Sequence, residues 1–289
     1  MTAGKLFRTY LDTLKQLYGS SEAANIAHWV FESMAGISRS ELIRNPDLPI
    51  PENQLLVLQK ALDALRQHEP VQYVTGESWF YKLKFKVNKA VLIPRPETEE
   101  LVSVALNFLS NNPVAAVLDI GTGSGCIPIS LKKNSPALQL TAMDICQEAL
   151  KVAEANAALN EAPVHFIQTD FLNEDRWETF EQFDLIISNP PYIPWSEKET
   201  MDKNVTAFEP AQALFVPNDQ PVIFYEKIAR FGKNHLKPNG KILVEIHENF
   251  ANAVGMVFSN NGYEYSIMKD MYGKERMMMA SLYHSPLPK

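Results

Sequence analysis

Apolar residues recur at helical spacing through the first 70 residues of the chain. Leu6, Tyr10, Leu14 and Leu17 form one stripe, and Gly19 supplies a stop. Ser21 suits the cap of a second helix, with Ala23, Ala27, Val30, Phe31 and Met34 on one face and Gly36 ending it. Pro51 suits the first turn of a third, whose stripe of Leu55, Leu58, Leu62 and Leu65 is stopped by Pro70. Such stripes are packing faces. This stretch predicts a helical bundle and, by itself, no chemistry.

The period then shortens to two. Tyr81, Leu83, Phe85 and Val87 alternate with Lys82, Lys84 and Lys86, which predicts a half-buried strand over residues 81–88. The plain reading is an edge strand whose lysines discourage edge-to-edge pairing. The sharper one is a basic face, extended by Lys89 and Arg95, towards a negatively charged partner. From residue 114 onward strands and helices alternate. Strands are expected at 114–118, 138–143, 164–168, 183–188, 241–246, 265–269 and 276–283, with helices that include 147–160, 222–236 and 250–261. This alternation predicts an α/β fold with a mostly parallel sheet covered on both faces. Ligands then bind at the carboxyl ends of the strands. The expected organisation is a helical domain at 1–80, a β-hairpin linker at 81–96 and the α/β body at 97–289.

Composition narrows this only a little. A chain of 289 residues fits about two domains at roughly 150 residues each. The net charge of −7 argues against a surface that grips nucleic acid throughout, though not against a local basic patch. Two cysteines, Cys126 and Cys146, exclude a disulfide framework and a four-cysteine zinc site, and they fit a reducing, cytoplasmic compartment. Charges interrupt the first residues too often for a signal-peptide core, and the longest apolar runs are strand-sized, so no membrane segment is expected.

Candidate chemistry lies at successive strand ends. Asp119-Ile120-Gly121-Thr122-Gly123-Ser124-Gly125 joins a strand to a helix, and its alternate glycines let the backbone turn tightly against a ligand. The spacing is Gly-x-Gly-x-Gly, not the Gly-x-Gly-x-x-Gly of a dinucleotide fingerprint. Asp119 would repel a pyrophosphate and suits an amino group or a sulfonium. Asp144 ends the next strand, where a carboxylate can accept both hydroxyl protons of a ribose or cap the following helix. Asp170-Phe171 ends the third, a carboxylate to bind an adenine amino group beside a ring to cover the base. The fourth runs straight into Asn189-Pro190-Pro191-Tyr192. The Asn189 side-chain oxygen and the Pro190 carbonyl can accept the two hydrogens of a substrate –NH2, and the Tyr192 ring can stack on a planar amide or base.

Together these residues resemble class I S-adenosylmethionine-dependent methyltransferases that act on planar amino or amide nitrogens. Residues 69–76 (EPVQYVTG), 92–102 (LIPRPETEELV), Phe208-Glu209-Pro210 and the closing Lys269-Asp270-x-x-Gly273-x-x-Arg276 narrow the resemblance to release factor glutamine methyltransferases. The resemblance implies a Rossmann-like, seven-stranded, mostly parallel sheet behind an N-terminal helical bundle. It implies S-adenosyl-L-methionine bound by Asp119, Gly121, Thr122, Gly123, Ser124, Gly125, Asp144, Asp170, Phe171 and Asn189, and no metal. It also implies catalysis by Asn189, Pro190 and Tyr192, with Pro191 beside them in the substrate site. The implied partner is a class I peptide chain release factor, methylated at N5 of its Gly-Gly-Gln glutamine by a cytoplasmic monomer with no membrane or direct nucleic-acid substrate. The helical head and the lysine strand are candidates for docking that partner. Two departures stand out. Glu245 is followed by Ile246 and His247 where the family commonly has Glu-x-Gly and then Gln, and residues 215–222 replace a Gly-rich stretch. His247, without a visible partner, reads as structural. The rivals are a DNA adenine-N6 methyltransferase, which would want a basic target-recognition region, and a non-catalytic adaptor on the same fold.

Overall fold

The computed structural model describes residues 1–283; the end of the expected α/β body, 284–289, lies outside the described residues. The chain forms two compact units, Met1–Glu77 with Asp202–Phe208, and Ser78–Met201 with the chain from Glu209 onward.

The first unit is helical: α1 (Ala3–Leu14), α2 (Ser20–Ala35), α3 (Arg39–Arg44), α4 (Glu52–Arg66) and α5 (Val71–Thr75). The expected stripes supply its core, with Leu6, Tyr10, Leu14, Val30, Phe31, Leu58 and Leu65 all buried. The Tyr10 ring meets Phe31 edge-on at 5.3 Å, and its hydroxyl donates to the Leu58 carbonyl. Helix ends differ from expectation. Gly19, not Ser21, stands at the N-cap of α2, Pro51 caps α4 from outside its first turn, and Leu17 lies beyond α1. Helix α3 escapes the periodicity because it is only six residues long, although Ser38 accepts the Glu41 N–H as a Ser-x-x-Glu cap.

The second unit opens with a hairpin of β1 (Glu77–Phe80) and β2 (Leu83–Lys86). Residues 81–88 therefore do not form one strand. Tyr81 and Lys82 are the turn, with φ of 48° and 64°, the positive values two-residue hairpin loops require. The alternation hid the turn because Tyr81 still packs on the core beneath it. The hairpin accordingly spans 77–86, ahead of the 81–96 expected for it.

There follow α6 (Pro96–Leu109), β3 (Ala116–Ile120), α7 (Cys126–Asn134), β4 (Gln139–Asp144), α8 (Gln147–Leu159), β5 (His165–Gln168), β6 (Phe183–Ser188), α9 (Ile223–His235), β7 (Leu236–Glu245), α10 (Ala251–Asn260), β8 (Tyr263–Lys269) and β9 (Glu275–Leu282). The seven strands lie in the order β8-β9-β7-β6-β3-β4-β5. Six run in one direction, and β9 alone is reversed, antiparallel to both its neighbours. Successive residues of a strand serve opposite faces. Leu118, Ile186 and Val244 pack under α9 and α10, while Val117, Leu185 and Leu243 pack under α6 and α7. Strand β3 sits between β4 and β6, where the connections change direction, and a crevice opens at its carboxyl end.

Two strands correct the expected bounds. Strand β3 occupies 116–120, not 114–118, so Asp119 belongs to the strand and pairs with Ala142 and Ile187 on its two sides. Strand β7 begins at Leu236, because residues 237–240 form a bulge rather than a turn ahead of the strand. Gly240 is required there. A Cβ would sit 2.9 Å from the Lys237 carbonyl and 3.0 Å from that of Phe183.

Candidate active site

A cavity of about 350 Å³ lies at the carboxyl ends of β3, β4 and β6. Its floor is the glycine turn. Gly121, Gly123 and Gly125 have φ of 75°, 53° and 78°, a region open to glycine. A Cβ at Gly121 or Gly123 would meet no protein atom within 4 Å, so these two leave the backbone bare towards open space. At Gly125 it would lie 2.9 Å from Ile129 Cδ1 and 3.1 Å from Ala153 Cβ. That third glycine serves the packing of α7 on α8.

Three carboxylates stand in three different states. Asp119 is 0% exposed, and neither of its oxygens has a hydrogen-bond partner among the described residues. Burial pushes its carboxyl up to about 7, and the Asp144 charge adds to the rise. The nearby Thr122 hydroxyl opposes this without closing a hydrogen bond of normal geometry. Asp144 accepts the Gly123 N–H on Oδ2 (2.8 Å) and the Cys146 N–H on Oδ1 (2.9 Å). It is thus tied to the glycine loop and to the residue capping α8, and each oxygen keeps a further acceptor site. Burial raises its pKa, while those backbone N–H groups pull it down. Asp170 accepts the Leu172 N–H at 2.9 Å.

Phe171 lines the cavity, but its ring is 5% exposed, stacked on Trp177 at 5.5 Å and edge-on to Phe231 at 5.6 Å. It is a fixed wall of the cavity.

On the opposite side, Ser188 Oγ donates to the Ile120 carbonyl (2.7 Å), tying β6 to β3 one residue before Asn189. Asn189 Nδ2 donates to Thr98 Oγ1 (3.0 Å), and Thr98 Oγ1 donates to Glu245 Oε2 (2.7 Å). The Tyr192 hydroxyl donates to Glu245 Oε1 (3.0 Å), and the Tyr225 hydroxyl to the Glu245 carbonyl (3.0 Å). Burial raises the pKa of Glu245, opposed by the Thr98 and Tyr192 hydroxyls and the Arg276 charge. Burial and the Glu245 charge together raise that of Tyr192.

The cavity wall brings together Gly121, Thr122, Gly123, Ser124, Asp144, Asp170, Phe171, Asn189, Pro190 and Pro191. Asp119, Gly125 and Tyr192 are not part of it. The Tyr192 hydroxyl is held by Glu245, and its ring stands edge-on to His247 at 5.9 Å. His247 does have a partner. Its Nδ1 accepts the Asn249 N–H (3.1 Å), which leaves Nε2 to donate to Glu197 Oε2 (3.2 Å).

Thr98 lies in the 92–102 segment and Glu245 at a strand end, but the sequence assigns a role to neither. The sequence groups Arg95 with a basic patch. Its guanidinium instead pairs with Glu209, which is 6% exposed and also accepts the Ile93 N–H (3.2 Å). This pair holds residues 92–95 against the cavity. The divergent stretch 215–222 contributes to the wall too, through Phe215, Val216 and Pro217. Among the described residues there is no group of His, Cys, Asp or Glu able to hold a metal ion, and no helix long and apolar enough to cross a membrane.

Residues 102–214 match the family described as Methyltransferase small domain, and residues 5–76 match the PrmC N-terminal domain. A release factor glutamine methyltransferase of Flavobacterium psychrophilum is 37% identical over 282 residues, which is 95% of this chain and 97% of that protein. One from Lactococcus lactis is 43% identical over 231 residues, or 79% and 83% of the two chains. Among solved structures, the release factor-specific protein-(glutamine-N5) methyltransferase of Alicyclobacillus acidocaldarius is 27% identical with a TM-score of 0.43, covering 68% of this chain and 99% of that one. With relatives of this identity covering 79% and 95% of it, the chain belongs to the release factor glutamine methyltransferase family.

Proposed function

We propose that this chain methylates N5 of the glutamine in the Gly-Gly-Gln loop of class I peptide chain release factors, using S-adenosyl-L-methionine, as a cytoplasmic monomer with no direct nucleic-acid substrate. One observation carries the reading. A single cavity has a bare glycine turn with carboxylates on one side and Asn189-Pro190 on the other, so a methyl donor and an –NH2 acceptor can meet in it.

The site fits that cofactor. Gly121 and Gly123 admit close approach, Asp144 keeps acceptor capacity for a ribose diol, and the unpaired Asp119 carboxylate favours a cationic group nearby. Bound there, S-adenosyl-L-methionine supplies an electrophilic sulfonium methyl. An amide nitrogen is a poor nucleophile because its lone pair is delocalised. Asn189 Oδ1 and the Pro190 carbonyl accept its two hydrogens, aim the lone pair at the methyl and favour the pyramidal nitrogen as the bond forms. Positioning and preorganised dipoles therefore carry most of the catalysis. The methylated amide then releases a proton without a dedicated base.

Incubation with labelled cofactor and, in parallel, a release factor, free glutamine or DNA tests the reading. Label is expected in the Gly-Gly-Gln peptide of the release factor. Label in adenine instead would replace the proposal with the DNA enzyme, and binding without transfer to any acceptor would leave the adaptor.

A further inference from the structure

We infer that Thr98 and Glu245 are positioning residues that fix which end of the Asn189 amide faces the acceptor nitrogen. The inference rests on the reading of Asn189 as the group that holds the substrate –NH2.

The oxygen and nitrogen ends of an asparagine amide are nearly the same shape, and only their neighbours decide which way the group points. For an –NH2 substrate the choice is decisive. The oxygen accepts a substrate hydrogen, whereas a flipped amide would set donor against donor. No hydrogen bond from the protein is seen at Asn189 Oδ1 among the described residues, so nothing on the cavity side selects the orientation. Selection comes from behind.

A hydroxyl has one proton, and Thr98 gives its own to Glu245 Oε2 at 2.7 Å. Towards Asn189 at 3.0 Å it can then only accept, which requires Nδ2 on that side and leaves Oδ1 for the cavity. Glu245 in turn has no proton to give while ionised, and its other oxygen already takes the Tyr192 hydroxyl at 3.0 Å. The chain therefore runs one way, from Asn189 through Thr98 to Glu245.

Both supports are rigid. Thr98, 3% exposed, rises from the first turn of α6, which Pro96 starts. Glu245, 2% exposed, ends β7, is paired with Met277 in β9 and has its carbonyl held by Tyr225. A catalytic amide oriented by groups fixed in this way needs no reorganisation when substrate arrives.

The test compares Thr98→Val, Thr98→Ser, Glu245→Gln and the Val/Gln double variant, each assayed on whichever acceptor the wild-type protein methylates. The acceptor's identity bears on the proposed function and the variants bear on this inference, so the two fail separately. Thr98→Val, which keeps the shape and removes the hydroxyl, is expected to lower kcat on the order of 100-fold. Cofactor Kd and thermal midpoint should stay near wild type, with KM for the acceptor changing far less than kcat. Thr98→Ser should recover most of the loss. Glu245→Gln keeps the volume but can donate to Thr98 and let the chain run backwards, so it too should lose kcat. The double variant should be no worse than the poorer single one, because both act through one atom. Wild-type kcat in Thr98→Val, failure of Ser to rescue, or losses that multiply in the double variant would each overturn the inference.

Discussion

The two walls of the cavity are backed by polar groups that are handled in opposite ways. On the glycine-turn side, the Asp119 carboxylate and the Thr122 hydroxyl are buried with no hydrogen-bond partner among the described residues. On the Asn-Pro-Pro side, the Asn189 amide, the Thr98 hydroxyl, the Glu245 carboxylate and the Tyr192 hydroxyl form one connected chain. An unpaired buried carboxylate is costly, so the group keeps its proton to higher pH or gains from a cationic ligand. A connected network is stable in advance and loses nothing to reorganisation on binding. Behind the first wall a carboxyl is left without a partner; behind the second the polar groups are already fixed in direction.

That contrast breaks most visibly at Asn189. Asn189→Ala removes the group proposed to aim the acceptor while leaving the glycine turn and its carboxylates in place. A loss of kcat on the order of 10²–10³-fold is expected, with cofactor affinity within a few-fold of wild type. Single-turnover transfer and calorimetric titration of the cofactor measure the two separately. Equal losses in both would mean that the walls do not act independently.

Asp119 probes the other wall through pH. Its carboxyl titrates near 7 in the folded chain against an ordinary 3.8. Between those values the folded state keeps a proton that the unfolded state has released. Stability therefore falls as pH rises from about 4 to about 7 and levels off above, with a ceiling on the order of 4 kcal/mol. Asn cannot ionise. Urea unfolding of Asp119→Asn should track wild type near pH 4 and exceed it increasingly towards pH 8. Parallel curves would show that burial of Asp119 carries no such cost. Saturating cofactor should narrow the gap, since a cation beside Asp119 offsets the cost of ionising it.

How much of this was legible in the sequence follows the same division. The glycine turn, Asp144 and Asn189 to Tyr192 are short local strings placed directly after apolar strands, and strand order alone brings them to one end of the sheet. The second wall depends on pairs far apart in the chain: Asn189 with Thr98 across 91 residues, Thr98 with Glu245 across 147, and Arg95 with Glu209 across 114. No periodicity encodes such pairs. Charge also misled locally. Asp119 looked like the end of an apolar run, although a buried carboxylate can occupy a central strand if its backbone pairs on both sides, as this one does with β4 and β6. Likewise residues 237–240 fall between the expected helix and strand, yet β6 continues to pair on either side of the bulge.

Asp144 is where the two ways of building meet, and it gives the smallest and sharpest test. Like the second wall, its oxygens are already engaged, by the Gly123 and Cys146 N–H groups. Like the first, it lines the cavity with acceptor sites to spare. Both readings of this residue, helix cap and ribose acceptor, can therefore hold at once, and substitution should separate them. Asp144→Asn keeps one oxygen for a backbone N–H but turns the other position into a donor that faces a ribose hydroxyl badly. Cofactor Kd is expected to rise roughly 10-fold, about the value of one charge-assisted hydrogen bond. At saturating cofactor, kcat should return to near wild type, because the acceptor is aimed from the other wall. A lowered thermal midpoint of the cofactor-free protein with an unchanged Kd would make Asp144 a cap alone. The receiving of the cofactor would then fall to the bare glycines and Asp119.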